Sequence, residues 1–187
     1  LLGDILFSWA MEGLNTNTGF NPKIIGKVIK LFYQMADEVI VGQMIDVDIT
    51  TRDKVSKEFI DEKIRLKTAS YTFIRPLEIG ASLANSLTTS IEKFCQAFGL
   101  CLGIAFQTQD DLLDITSNEK KLQKTTSSDK SQNQHTYFTY FKSLEVGKEI
   151  IEKNFREAKE LIQKLSINEN AKKKFFDLIK LIQTRTF

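Results

Sequence analysis

Three carboxylates, Asp110, Asp111 and Asp114, fall within five residues of the segment GIAFQTQDDLLDITSNEKK, Gly103 to Lys121. On a helix, acids this close repel one another, and no basic residue one turn further on answers Asp110 or Asp111. Helical spacing puts Gly103, Gln107, Asp110 and Asp114 on one stripe with Asp111 flanking it, while Ile104, Leu112 and Leu113 lie off the stripe and can enter a core. Ordinary surface acids are the alternative, but the helix is otherwise too apolar for a solvated strut. The cluster therefore reads as one half of a cation site. Oxygen donors on a rigid element with coordination positions left open suit Mg²⁺, which keeps its waters and shares itself with phosphate groups. The alternating acids and final glutamate of an EF-hand are absent.

A metal-bound phosphate would need cations on facing elements. Lys67 and Tyr71 lie one turn apart, on a line with the apolar Ile60 and Ile64, so Lys67 either points inward or snorkels along the surface. Lys120, Lys121 and Lys124 follow the acids and either close over a bound anion or remain solvated charge. Upstream, Gly42 allows a close helix approach, and Gln43 with Asp46 forms a polar pair aimed at the same cavity. His135 is the only histidine, which excludes a histidine-based metal site and a catalytic triad; it reads as a loop residue.

The elements that hold these residues are helices almost throughout, since the chain has two prolines, nine glycines and no sustained alternation of apolar and polar residues. Asn21 and Pro22 form an N-cap and first-turn pair opening a helix to about Ile45, with Ile25, Val28, Phe32, Met35 and Val39 on its apolar face. A loop around DITTRDKV leads to a helix from about Ser56 through Ala84, with a kink expected at Pro76. A capping box of Thr89 with Glu92 starts the acid-bearing helix near Ser90. From Thr116 about twenty mostly polar residues read as a mobile loop able to act as a lid. Three shorter helices finish the chain, the last announced by Ser166 and Glu169. LLGDILFSWA reads as an amphipathic helix already in mid-course, so a preceding segment is expected.

The 187 residues, 42% of them apolar and 14 of them Phe, suffice for one domain with a sizeable core. A net charge of +2 with scattered lysines excludes an electrostatic footprint for nucleic acid. Cys95 and Cys101 sit in an apolar helical pattern and read as buried free thiols of a reducing compartment. No apolar run approaches the roughly 18 residues of a membrane span, so a soluble, cytoplasmic protein without a membrane anchor is expected.

Together these motifs resemble the trans-isoprenyl diphosphate synthases, the prenyltransferase family that includes farnesyl diphosphate synthase. GIAFQTQDDLLD is similar to the family's second aspartate-rich motif, G-x-x-F-Q-x-x-D-D-x-x-D, at every fixed position, and Gly3–Asp4, GQMID and KTASY match its G-D, G-Q-x-x-D and K-T-x-x-Y segments in order. The resemblance implies an all-α isoprenoid-synthase bundle around a central cavity, with residues 1–187 forming the C-terminal part of a single domain, usually as a homodimer. It implies Mg²⁺-assisted ionisation of an allylic diphosphate and attack by isopentenyl diphosphate. Carried over by position, Asp110 binds Mg²⁺ directly while Asp111 and Asp114 hold metal-bound waters. Lys67 and Lys124 grip the allylic diphosphate, and Thr68 and Gln107 flank the reacting carbons. Gln43 and Phe106 join the substrate-binding set.

The family's first aspartate-rich motif and its upstream basic residues are absent, so the chain taken alone carries half of a metal site and is not expected to catalyse. In the loop, Gln123 and Ser127 stand where the family has glycines and Gln134 where it has lysine. These departures leave a noncatalytic subunit or paralogue as the alternative. A class I terpene cyclase is disfavoured, because FQTQDDLLD lacks the mixed Asn/Ser/Glu metal motif.

Overall fold

Asn21 caps α2 (Pro22–Ile49): its side-chain oxygen accepts from the Lys23 amide at 2.9 Å, and Pro22 occupies the first turn, where its missing N–H costs nothing. The computed structural model describes residues 1–16, 19–122 and 135–185, and among them every regular element is a helix. Before α2 comes α1 (Leu2–Thr16), which buries none of its side chains and meets α2 through stacked Phe7 and Phe32 rings, 5.9 Å between centroids. α2 runs about one turn past the expected end and buries Val28, Ala36, Gly42 and Ile49 on one side.

The expected kinked helix from Ser56 to Ala84 is three pieces. α3 (Lys57–Ile64) passes into a π-wound segment (Arg65–Ile74), which returns to α-winding in α4 (Arg75–Leu83). Pro76 lies in the first turn of α4, so the helix changes its hydrogen-bond register ahead of the proline: the Arg75 amide donates to the Ser70 carbonyl, five residues back.

α5 (Thr89–Leu122) is the axis of the bundle. Its cap is Thr88, one residue before the expected Thr89, with the hydroxyl accepting from the Ile91 amide at 3.3 Å. The helix also continues about two turns beyond Ile115, where a loop was expected. Lys, Glu and Leu favour continued winding, and Thr116 bonds back to the Leu112 carbonyl at 3.0 Å. α5 packs on the π segment on one side and on α7 (Leu144–Lys164) on the other, while α6 (Tyr137–Phe141) and α8 (Glu169–Gln183) pack against α7. Asn168, not Ser166, caps α8, accepting from the Ala171 amide at 2.8 Å.

The main core joins Phe98, Leu102 and Ala105 of α5 to Phe155, Ala158 and Ile162 of α7 and Ile179 of α8. Phe94 stacks on Phe98 at 5.0 Å, and the Phe175 ring meets both edge-on at 5.3 Å. Cys95 is buried and Cys101 partly so, both as free thiols that burial raises to about 11. Between α2, α4 and α5, Arg75 bonds Glu38 at 2.5 and 2.9 Å and the fully buried Glu78 at 2.6 Å, and Gln96 donates to the other Glu78 oxygen. No helix among the described residues is long and apolar enough to cross a membrane.

Candidate active site

Two glycines bring main chain against main chain beneath the site. A Cβ on Gly42 of α2 would lie 2.5 Å from the Lys67 amide nitrogen, and one on Gly103 of α5 would lie 2.3 Å from the Ala69 Cβ. Only the absence of a side chain lets α2 and α5 seat directly on the π segment. Above this contact opens a cleft of about 280 Å³.

One wall carries lysines. Lys67 donates to Asp46 Oδ2 at 2.5 Å, and Lys63 stands 3.4 Å from Asp46 Oδ1. Burial acts to raise the Asp46 carboxyl, but the Lys67 hydrogen bond and the charges of both lysines outweigh it and hold the group below the usual carboxylate range.

The opposite wall carries Asp111 and Asp114 of α5. Burial pushes the Asp111 carboxyl up, and the charges of Asp114 and Asp46 act in the same direction, against the Gln107 hydrogen bond and the charge of Lys63. A carboxylate in this position gains from any added cation. Thr68 connects the walls: its hydroxyl donates to Gln107 Oε1 at 2.8 Å, and Gln107 Nε2 donates to Asp111 Oδ1 at 3.0 Å. That sequence of donors fixes the amide orientation of Gln107.

The rim comes from the chain entering α6. Lys63 donates to the His135 carbonyl at 2.9 Å, while His135 Nε2 donates to the Arg52 carbonyl at 2.9 Å. Thr136 beside it also lines the cleft and caps α6 in a capping box with Thr139.

The cleft thus gathers Lys67, Thr68, Gln107, Asp111 and Asp114. The stripe facing it runs Gln107, Asp111, Asp114, because the i, i+4 bond draws Asp111 inward. Asp110 lies on the far edge and pairs with Arg185. Phe106 is outside the lining, edge-on to Phe73 at 5.7 Å and beneath the Arg185 guanidinium at 3.8 Å. Gln43 is exposed and outside the lining, so it does not share the cleft with Asp46 as the spacing predicts. Lys124 lies outside the described residues, as do Gln123, Ser127 and Gln134.

Lys63, His135, Thr136 and Arg185 are the contributions that the spacing did not single out. Lys63 is one turn before Lys67, so its signal was present. His135 lies 72 residues from Lys63 and 83 from Arg52, and Arg185 lies 75 residues from Asp110, so no local pattern marks them.

Among the described residues no three acidic, histidine or cysteine side chains already converge on one point. Asp111 and Asp114 instead offer oxygen donors across an open cleft from two ammonium groups. This donor set fits a hard cation that fills its remaining positions with water and phosphate oxygens.

The chain is similar to known proteins in sequence and in fold. The chain is 31% identical over 166 residues to the chloroplastic geranylgeranyl pyrophosphate synthase of Capsicum annuum, covering 87% of this chain and 44% of that protein. The chain therefore spans less than half the length of that relative. The solved geranylgeranyl pyrophosphate synthetase of Pyrococcus horikoshii Ot3 matches 98% of this chain and 66% of its own, with a TM-score of 0.81 at 24% identity. A geranylgeranyl pyrophosphate synthase of Corynebacterium glutamicum, complexed with isoprenyl diphosphate and magnesium, matches 98% of this chain and 62% of its own, with a TM-score of 0.79 at 21% identity. These two likenesses establish a shared all-α fold. The model of one family, Polyprenyl synthetase, matches residues 1–179, so that the cleft and nearly all of the helices around it fall within the match: the chain belongs to the polyprenyl synthetase family.

Proposed function

We propose that the protein containing this chain is a prenyltransferase that condenses isopentenyl diphosphate with an allylic diphosphate. The observation that carries the reading is the cleft itself, with Lys67 on one wall, Asp111 and Asp114 on the other, and Thr68 and Gln107 between them. Mg²⁺ is the proposed cofactor, which Asp111 and Asp114 would hold with Asp110 as a further ligand; the presence of magnesium in a relative of the same fold supports the choice of metal. When bound, it would neutralise charge on the departing diphosphate.

The chain's own residues account for the rest. Lys67 supplies a fixed ammonium to the leaving group, and preorganised charge of this kind is worth most where charge grows in the transition state. Thr68 donates its hydroxyl hydrogen to Gln107, so its oxygen lone pairs are left to support positive charge on carbon. Gln107 Oε1 accepts that hydrogen bond and keeps a second lone pair for the same use. Gln43 and Phe106 remain proposed substrate contacts outside the cleft lining, as does Lys124, which lies outside the described residues.

The proposal extends to a homodimer working in the cytoplasm, where the free thiols stay reduced. Trp9, Ile40, Met44 and Val47 stand exposed on α1 and α2, apolar surface suited to burial against a second copy. The test is magnesium-dependent condensation of labelled isopentenyl diphosphate with dimethylallyl or geranyl diphosphate by the full-length protein. Chain elongation is expected; a folded protein that makes no product overturns the reading.

A further inference from the structure

Lys63 is the most enclosed cation of the cleft, its side chain 14% exposed against 36% for Lys67. Its ammonium donates to the His135 carbonyl and faces Asp46 Oδ1, and an ammonium carries three donors, so one direction remains for a ligand. Asp46 is shared: its other oxygen takes Lys67 at 2.5 Å. One carboxylate thus answers two ammonium groups, and the lysine wall keeps a surplus positive charge. Lys63 is also the lysine whose charge acts across the cleft against the burial of Asp111. Asp111 and Asp114 face the ammonium groups from the other wall, so an incoming anion gains most from the spare donor of Lys63 when those acids are taken up by a cation.

We propose that Lys63 binds the substrate diphosphate directly, as a second ammonium beside Lys67, and that Asp46 and the His135 carbonyl hold it ready. The inference rests on the prenyltransferase reading and adds to it a residue that neither the aspartate-rich motif nor the K-T-x-x-Y segment contains. Lys63 and Lys67 lie one turn apart, so together they address the two phosphoryl groups of one diphosphate, and a single phosphate engages them less completely. The structure equally shows what a purely structural Lys63 would do: tie residue 135 to α3.

The two roles separate in a titration of the full-length protein, with magnesium present, against inorganic pyrophosphate and inorganic phosphate. Lys63→Gln is expected to weaken pyrophosphate binding about 10- to 100-fold, the usual range for losing a charged hydrogen bond, and phosphate binding less. Lys63→Arg should stay within several-fold of wild type. If Lys63→Gln lowers the melting temperature but binds pyrophosphate like wild type, Lys63 is a strap and the proposal is overturned while the prenyltransferase reading stands. If wild type itself fails to bind pyrophosphate, both are overturned. Should Lys63→Gln not fold, Lys63→Met, which keeps the length of the buried stem, replaces it with the same two outcomes.

Discussion

Arg185, two residues past the end of α8, pairs through its guanidinium with the Asp110 carboxylate and lies 3.8 Å over the ring of Phe106. The three acids of the motif therefore have different surroundings. Asp111 and Asp114 face the lysines, whereas Asp110 is answered by a cation 75 residues away, and Gln109 binds the Gln183 carbonyl at 3.4 Å beside it.

Removing Arg185 uncovers the Asp110 carboxylate. In the full-length protein, Arg185→Ala should raise Mn²⁺ affinity roughly three- to ten-fold, because a metal no longer competes with the guanidinium for Asp110. Electron paramagnetic resonance of free Mn²⁺ measures this. Unchanged affinity would show that Asp110 serves Arg185 and not a metal.

Asp46 and Asp111 carry opposite pH dependences. Asp46 is held below its usual range, so its contribution to stability is fully present above the unfolded carboxylate value of about 4 and is lost as pH falls through the lower folded value. Asp111 is raised, so its cost appears as pH rises from about 4 through the higher folded value. Without divalent metal, Asp46→Asn should lose about 1–2 kcal/mol at neutral pH, while Asp111→Asn should gain stability. Both differences should shrink on acidification in urea titrations. Effects of the same sign at the two positions would contradict this electrostatic account.

Gly103→Ala would drive a methyl group into Ala69, so α5 and the π segment must part. The expected loss is about 1–3 kcal/mol, read from the denaturant midpoint, together with weaker pyrophosphate binding as Gln107 draws away from Thr68. Wild-type stability would mean that the two backbones can separate at little cost.

Arg75→Met should be among the most damaging substitutions of the chain, at about 3–5 kcal/mol, because Glu78 is left fully buried without its cation. Adding Glu78→Gln should recover part of that loss. A double variant no better than the single one would assign the damage to Glu38 or to packing instead.

How far the sequence could be read follows the range of each signal. Asn21 with Pro22 marks the start of α2 because both act within one turn, and the glycine at 42 correctly implies a close helix crossing. The acids reveal their helix but not which of them faces the cleft: Asp110 and Asp111 are adjacent, and the choice depends on Gln107 and on distant Arg185. The extension of α5 past Ile115 was missed because its residues are polar, although polarity does not prevent winding. The π segment leaves no trace in apolar spacing; Pro76 signals a break, and the packed neighbours decide its form.

Gly42 and Gly103 have a last consequence. Because close backbone contacts seat both α2 and α5 on the π segment, side chains along the gap can be exchanged without moving the helices that frame it. Variation at Thr68, Gln107 or Lys63 should retune what the gap prefers to hold, while its width stays a property of the scaffold.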